Sequence, residues 1–416
     1  MVRTFGVEEE LLLVDARSRQ PLAASEDAVQ RATRPLDDAE AAGVPAGAPA
    51  LAGEDRVGAE PAGEPAARAE VGAVSSDLAD APGGHRLTLE LQQEQIEVVG
   101  PPQTSLTDQI ASIRTGRRLA DGAARAVGGR AVAIATSVSA GLPHLVPESR
   151  YRRIQRHVGI LAAEQLTCGF HVHVAVDDRE QGVAALDRIR VWLPVLLALS
   201  ANSPFWYGVE SGFASYRYQA WTRWPTAGAY EVFGSVEAYD RCMEAVLRSG
   251  VALDDGMLYY DARLSVPWPT IEVRVADVCL DPVQAGVVAT MIRALVETAC
   301  RQHREGVPPH PAGVTELRAW SWRASRFGVE GDLVSPATGR PTPAGHVVAD
   351  LLDLLRPVLD EYGEDEQVQA VVAQILQDGP GAQRQREAFA RRHDLTDVID
   401  TAVRLGTPEP EGDGVP

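Results

Sequence analysis

Residues 4–14 alternate between apolar and polar positions with the period of a β-strand. Phe5, Val7, Glu9, Leu11 and Leu13 fall on one face, and Gly6, Glu8, Glu10, Leu12 and Val14 on the other. The pattern returns at 166–176. There Leu166, Cys168, Phe170, Val172, Val174 and Val176 oppose Thr167, Gly169, His171, His173 and Ala175. It returns again at 270–277, where Ile271, Val273 and Val275 point to a core and Glu272, Arg274 and Ala276 share the polar face. Between Arg86 and Val99 lies a fourth, acidic ribbon in which Leu87, Leu89 and Leu91 oppose Thr88 and Glu90. Glu90 and Glu97 are an odd number of residues apart, so a flat strand would separate them. A bulge or a break near Gln93 would bring both to one face.

Helical periodicity predicts helices over 27–36, 105–127, 184–201, 282–302, 344–361, 365–378 and 381–404, with a short helical stretch after Pro147 and a small strand at 131–136. Asp281-Pro282 reads as a helix start, and Pro101-Pro102 as the end of the acidic ribbon. Residues 200–225 crowd aromatics, small residues and two arginines together without clean periodicity, as substrate-holding loops do. The alternative there is packing, with Arg217 and Arg223 stacked on Trp221 and Trp224. From Asp37 to Gly84 the chain is dominated by Ala, Gly, Glu and Pro, which predicts a flexible acidic insertion. The expected organisation is one catalytic domain over 1–405 carrying the 37–84 insertion, followed by a disordered tail at 406–416.

Composition narrows the chemistry. All 39 basic residues are arginine, which excludes a Walker-A lysine, a kinase strand lysine and a Schiff-base lysine. A net charge of −19 argues against a nucleic-acid partner. Four cysteines without CxxC spacing argue against a structural zinc or a disulfide framework. No apolar run long enough to span a membrane appears, and the chain opens on a strand pattern instead of a basic-then-apolar leader. A cytoplasmic location is expected, with small-molecule partners and self-association into a homo-oligomer left open.

Glu8 and Glu10 side by side on a strand would repel each other, and a divalent cation relieves that repulsion. The competing account is a solvated acidic edge strand. His171 and His173 share a face beside Gly169, where a ligand can approach the backbone. Carboxylate and imidazole together suit magnesium or manganese better than zinc, which would want further nitrogen or sulfur donors. Glu272 and Arg274 fit either an internal ion pair or a metal ligand beside a phosphate clamp.

Gly6-Val7-Glu8-Glu9-Glu10, Cys168-Gly169-Phe170-His171-Val172-His173, Ser200-Ala201-Asn202-Ser203-Pro204-Phe205-Trp206, Arg223-Trp224-Pro225-Thr226-Ala227-Gly228 and Glu272-Val273-Arg274-Val275-Ala276-Asp277 together resemble the carboxylate–amine ligases of the type 2 glutamate–cysteine ligase family. The resemblance spans nearly the whole chain outside 37–84 and the tail. It implies an α+β fold similar to glutamine synthetase: a curved, mainly antiparallel sheet lining the active site, with helices on its outer face. It also implies ATP as substrate and two or more Mg2+ or Mn2+ ions. One ion would take Glu8, His171 and Glu272, and the other Glu10, Glu90 and Glu97, with Glu94 as a substitute if the register slips. His173 and Arg274 would lie near the transferred phosphate. Arg217 or Arg223 would hold the substrate carboxylate.

The implied reaction is amide formation through an acyl phosphate, with glutamate and cysteine as the default pair. Alternatives keep the scaffold with another acid or amine, or retain only a non-catalytic metal- and nucleotide-binding site. A zinc hydrolase built on the two histidines lacks ligands.

Overall fold

The computed structural model describes residues 2–33, 79–80 and 82–407. Most of the expected insertion, 34–78 and residue 81, and the tail beyond 407 lie outside the described residues.

The strands are β1 (Phe5–Asp15), β2 (Ala79–Asp80), β3 (Arg86–Leu89), β4 (Gln95–Val99), β5 (Gly129–Val132), β6 (Gly169–Ala175), β7 (Phe205–Trp206), β8 (Val209–Glu210), β9 (Ala262–Leu264), β10 (Thr270–Asp277), β11 (Asp332–Ser335) and β12 (Arg340–Pro343). The helices are α1 (Ser25–Thr33), α2 (Leu106–Ala126), α3 (Ser149–Val158), α4 (Ile160–Glu164), α5 (Arg179–Ile189), α6 (Leu193–Ser200), α7 (Tyr216–Trp221), α8 (Val236–Arg248), α9 (Pro282–Arg304), α10 (Val314–Phe327), α11 (Ala344–Tyr362), α12 (Asp365–Asp378), α13 (Gly381–Ala390) and α14 (Leu395–Gly406).

Among the described residues, the main sheet runs β2-β3-β4-β1-β6-β10-β9, and β5 pairs with the far half of β1. Every pairing in it is antiparallel. β1 is therefore central, flanked by β4 on one edge and by β6, then β5, on the other. The apolar sides of β1, β6 and β10 meet as Phe5, Val7, Phe170, Val172, Val174, Ile271, Val273 and Val275. They pack against Leu106, Ile110 and Ile113 of α2 and against α5, α6 and the long apolar α9. Although α9 is long and apolar enough to cross a bilayer, 89% of its apolar window is buried inside this core.

Glu9 shares the apolar side of β1, and its charge is answered there. Arg117 of α2 contacts both its oxygens, at 2.7 and 3.0 Å, and donates to the carbonyls of Cys279 and Leu280. A buried charge needs such a partner, so the middle glutamate of the triplet is structural.

Several expectations change in detail. The single helix expected over 184–201 is two, α5 and α6, because Pro194 has no amide hydrogen and fits only a first turn. The helix expected over 381–404 also divides, at His393 (φ 56°), after which Asp394 caps α14 by accepting from Thr396 N. Residues 200–225 contain a short hairpin and α7. Ala79–Asp80, at the end of the expected insertion, adds an edge strand to β3.

Candidate active site

Register, more than proximity in sequence, builds the site. Glu8 stands opposite His171 on β6, and Glu10 opposite Glu97 on β4. Glu272 on β10 stands opposite His173 on β6 and Arg263 on β9. Residues directly opposed across a ladder share a face, so one polar face collects Glu8, Glu10, Glu97, His171, His173, Arg263 and Glu272. β3 ends at Leu89 and β4 begins at Gln95, so the acidic ribbon is a hairpin. That turn is the break that returns Glu90 to the side of Glu97.

Two clusters stand out. Donor atoms of Glu8, Glu97 and His171 lie within 4.8 Å of one another, and so do those of Glu8, His173 and Glu272. Glu8 is common to both. The expected trio of Glu8, His171 and Glu272 shares one face, but neither cluster holds all three, and the imidazoles are distributed differently. His173 pairs with the Glu8–Glu272 side, and His171 with Glu97. Glu8 Oε2 is 3.4 Å from His171 Nδ1, and Glu10 Oε1 is 3.6 Å from His171 Nε2. Glu10 is anchored by the Gly169 amide at 2.7 Å. His173 Nδ1 is 2.9 Å from Thr270 Oγ1, which orients its ring.

The donor set fits a hard divalent cation. His171 Nε2 and His173 Nε2 are buried without a hydrogen-bond partner, and both belong to faces crowded with carboxylate oxygens. Burial raises Glu97 well above the ordinary carboxylate range, and the neighbouring Glu8, Glu90 and Glu10 charges add to it. Burial and the Glu10 charge push Glu90 up to about 7. Burial also acts to raise Glu8 and Glu272, yet both sit below the ordinary range. His173 and His171 lower Glu8, while Arg274, Arg263 and the two imidazoles lower Glu272. Burial and Arg274 lower His171, whereas the Glu8 charge raises His173 against burial. Such acid-rich pockets with opposed shifts are typical of functional sites.

Glu272 is held by two arginines. Arg263 Nε reaches one oxygen at 2.7 Å and Nη2 the other at 3.3 Å, and Arg274 donates to Glu272 from two residues along the strand. Spacing along β10 gave no sign of Arg263, because a cross-strand partner cannot be read from it. Glu94 does not substitute for Glu90 or Glu97: His144 takes its carboxylate through ring Nδ1 at 2.6 Å and through its amide.

The two arginines expected at the substrate part company. Arg223 is exposed and paired with Glu164 at 2.7 Å. Arg217 is 2% exposed, and its Nε has no hydrogen-bond partner. An ideal Cβ on Gly169 would meet Arg217 Nη2 at 2.4 Å and His171 Nε2 at 2.9 Å, so this guanidinium lies against the metal-capable face. Among the described residues, neither arginine stacks on Trp221 or Trp224. Those rings pack on each other and on Tyr259.

Asp277 escaped the sequence reading. Alternation along β10 puts it in phase with Val275 and the core, but the ladder with β6 slips by one residue between Val273 and Ala276. Asp277 thus lands opposite Gly169, on the side of Glu272. A carboxylate in an apolar phase was the available signal.

Comparisons with known proteins bear on family and fold. The family model described as glutamate–cysteine ligase family 2 matches residues 4–404. A protein named "Putative glutamate–cysteine ligase 2-1" from Paenarthrobacter aurescens is 43% identical over 97% of this chain and 94% of its own. "Putative glutamate–cysteine ligase 2-2" from Frankia alni is 43% identical over 98% and 97%. Among solved structures, the glutamate–cysteine ligase of Francisella tularensis in complex with AMP aligns with a TM-score of 0.63 at 13% identity, covering 98% of this chain and 88% of that one. The complex of the prokaryotic ubiquitin-like protein Pup and its ligase PafA gives 0.54 at 13% identity, covering 97% and 72%. These two structures share the fold. By its sequence match over nearly its full length, the chain belongs to glutamate–cysteine ligase family 2, ATP-dependent ligases that join a carboxylate to an amine.

Proposed function

We propose that the protein is a cytoplasmic enzyme that uses ATP to couple glutamate to cysteine through an acyl phosphate. The observation that carries the site assignment is the pair of donor clusters sharing Glu8. Glu8, His173 and Glu272 would hold one Mg2+ or Mn2+, and Glu8, His171 and Glu97 a second, with Glu10 and Glu90 adjoining the latter. Bound there, the cations would neutralise the triphosphate and the charge that develops during phosphoryl transfer.

The protein's own groups supply alignment. The substrate carboxylate oxygen attacks the γ-phosphorus of ATP, the bond to the β-phosphate oxygen breaks, and ADP leaves. The amine nitrogen then attacks the acyl carbon, phosphate departs with the C–O bonding electrons, and the amine gives up a proton. Arg274, beside Glu272 and 3.4 Å from His171 Nδ1, would receive the phosphoryl oxygens, with His173 on the same face. Arg217, buried with an unpartnered Nε, would hold the carboxylate of the amino-acid substrate that does not react. Arg223, exposed and held by Glu164, is the weaker candidate for that role.

ADP release over a panel of acids and amines with magnesium tests this. Glutamate and cysteine should both be required for full rate, and γ-glutamylcysteine should accumulate. ADP release that ignores the amine would mean an uncoupled ATPase. A different preferred pair would preserve the chemistry and change the substrate.

A further inference from the structure

We infer that Asp277 is the positioning residue for Arg217, so that a single strand, β10, sets both the metal-capable face and the substrate-carboxylate cation. This rests on the assignment of Arg217 proposed above. Asp277 is fully buried and saturated by donors. Its Oδ2 accepts from Asn202 N at 2.8 Å and Ser203 Oγ at 2.7 Å, and its Oδ1 from Ser215 Oγ at 2.8 Å.

Three of its interactions lead to Arg217. The guanidinium Nη1 lies 3.8 Å from Oδ1, a direct charge contact. Ser203 Oγ, while donating to Asp277, accepts from Arg217 N at 3.0 Å and so fixes the backbone. Ser215 is the N-cap of α7, whose second residue is Arg217, and accepts from Tyr218 N. Helix start, backbone and charge are therefore all tied to one carboxylate.

The hydrogen bonds of the guanidinium are long, 3.4 Å from Nη1 to the Val275 carbonyl and 3.3 Å from Nη2 to that of Arg274, and Nε makes none. Both acceptors belong to β10. Asn202, which donates to Asp277, is itself fixed by donating to the carbonyls of Ala133 and Val278 and by accepting from Gln385 of α13. The Ser200–Trp206 motif, which the metal site leaves unexplained, thereby acquires a role as the frame around Asp277. A buried guanidinium with spare donors is useful only if it is held against rotation, and this network does the holding.

The test uses the full chain, with D277N and R217K alone and together, and S203A as a milder variant should D277N fail to fold. Steady-state ADP release is measured with glutamate, cysteine and Mg-ATP. In D277N the KM for glutamate should rise about 10- to 100-fold, the loss of one charge-assisted contact, while the KM for ATP stays within about twofold. The double variant should be no worse than the poorer single one. A second readout needs no turnover: the Arg217 Nε–H signal in 15N-arginine-labelled protein should shift or broaden in D277N, and to a lesser degree in S203A, while the Arg263 signal holds.

An unmoved Arg217 signal in both variants overturns the inference, as does an ATP effect equal to the glutamate effect. If the wild type releases no glutamate-dependent ADP, the substrate proposal fails, and the spectrum alone decides whether Asp277 positions Arg217.

Discussion

Glu8 Oε1 lies 3.3 Å from His173 Nε2, a buried imidazole nitrogen that forms no hydrogen bond. The same glutamate is the shared member of both donor clusters. Glu8→Gln keeps the shape and removes the charge, so it should weaken Mg2+ binding at both clusters. Outer partners of metal ligands are worth about 10- to 100-fold in affinity, and a shared ligand should cost at least the upper figure. Calorimetric titration of Mg2+ into E8Q measures it. Wild-type affinity in E8Q would remove Glu8 from the metal site.

Arg263 grips Glu272 from the neighbouring strand. Arg263→Met leaves that carboxylate with Arg274 alone. Mg2+ affinity should fall about 10- to 100-fold, with a cooperative thermal transition retained. Equal Mg2+ binding in R263M and wild type would show that Arg274 suffices to orient Glu272.

The acid pocket makes stability depend on pH. Glu90 is pushed from the ordinary 4.5 up to about 7, and Glu97 is raised as well. A group with a raised folded-state value binds its proton more tightly when folded. Its stabilisation is complete below 4.5 and lost as pH climbs through about 7. His173, also raised, acts in the same sense above its ordinary 6.5, and His171, which is lowered, opposes them. Glu8 and Glu272 are shifted down and act only below the ordinary value. Metal-free protein should therefore lose thermal stability between about pH 5 and about pH 8. Mg2+ should restore more at the higher pH, since binding there displaces fewer protons. A Mg2+-induced rise in Tm that shrinks with increasing pH would contradict this.

Gly169 has no room for a side chain. A methyl group would collide with Arg217 Nη2 and His171 Nε2. Gly169→Ala should cost ~1–3 kcal/mol of stability and depress ligase activity more than an equally destabilising change elsewhere. Differential scanning calorimetry paired with ADP release compares the two. A fully active, fully stable G169A would place the guanidinium elsewhere.

Glu94 offers a control. Its partner is His144, so Glu94→Gln should lose about 1 kcal/mol of stability with Mg2+ affinity unchanged. A large drop in Mg2+ affinity would return Glu94 to the metal site.

Much of this was legible in the chain. Alternation at 4–14, 166–176 and 270–277 located β1, β6 and β10 and put Glu8, Glu10, His171, His173 and Glu272 on polar faces. Strand periodicity says which side of a strand a residue takes, but nothing about which residue stands across from it. Pairing register decided that His173, more than His171, belongs with Glu272, and that Arg263 grips the same carboxylate. Periodicity also assumes an unbroken pleat. It fails where the ladder slips, which is how Asp277 was lost, and where a turn intervenes, which is why Glu90 and Glu97 needed a hairpin to meet. Pro194 was a visible stop inside an apolar run, overlooked because hydrophobicity continued across it.

The slipped rung between Val273 and Ala276 separates β10 into two half-strands of opposite phase. One half presents Glu272 to His173, and the other presents Asp277 to Gly169. Pairing the same residues without that slip would turn the second half over and carry its carboxylate into the oily layer. One surplus residue thus lets two carboxylates five positions apart look the same way. A chain shortened by one residue between Val273 and Ala276 should keep Asp277 facing Gly169 and lose only the bend of the strand.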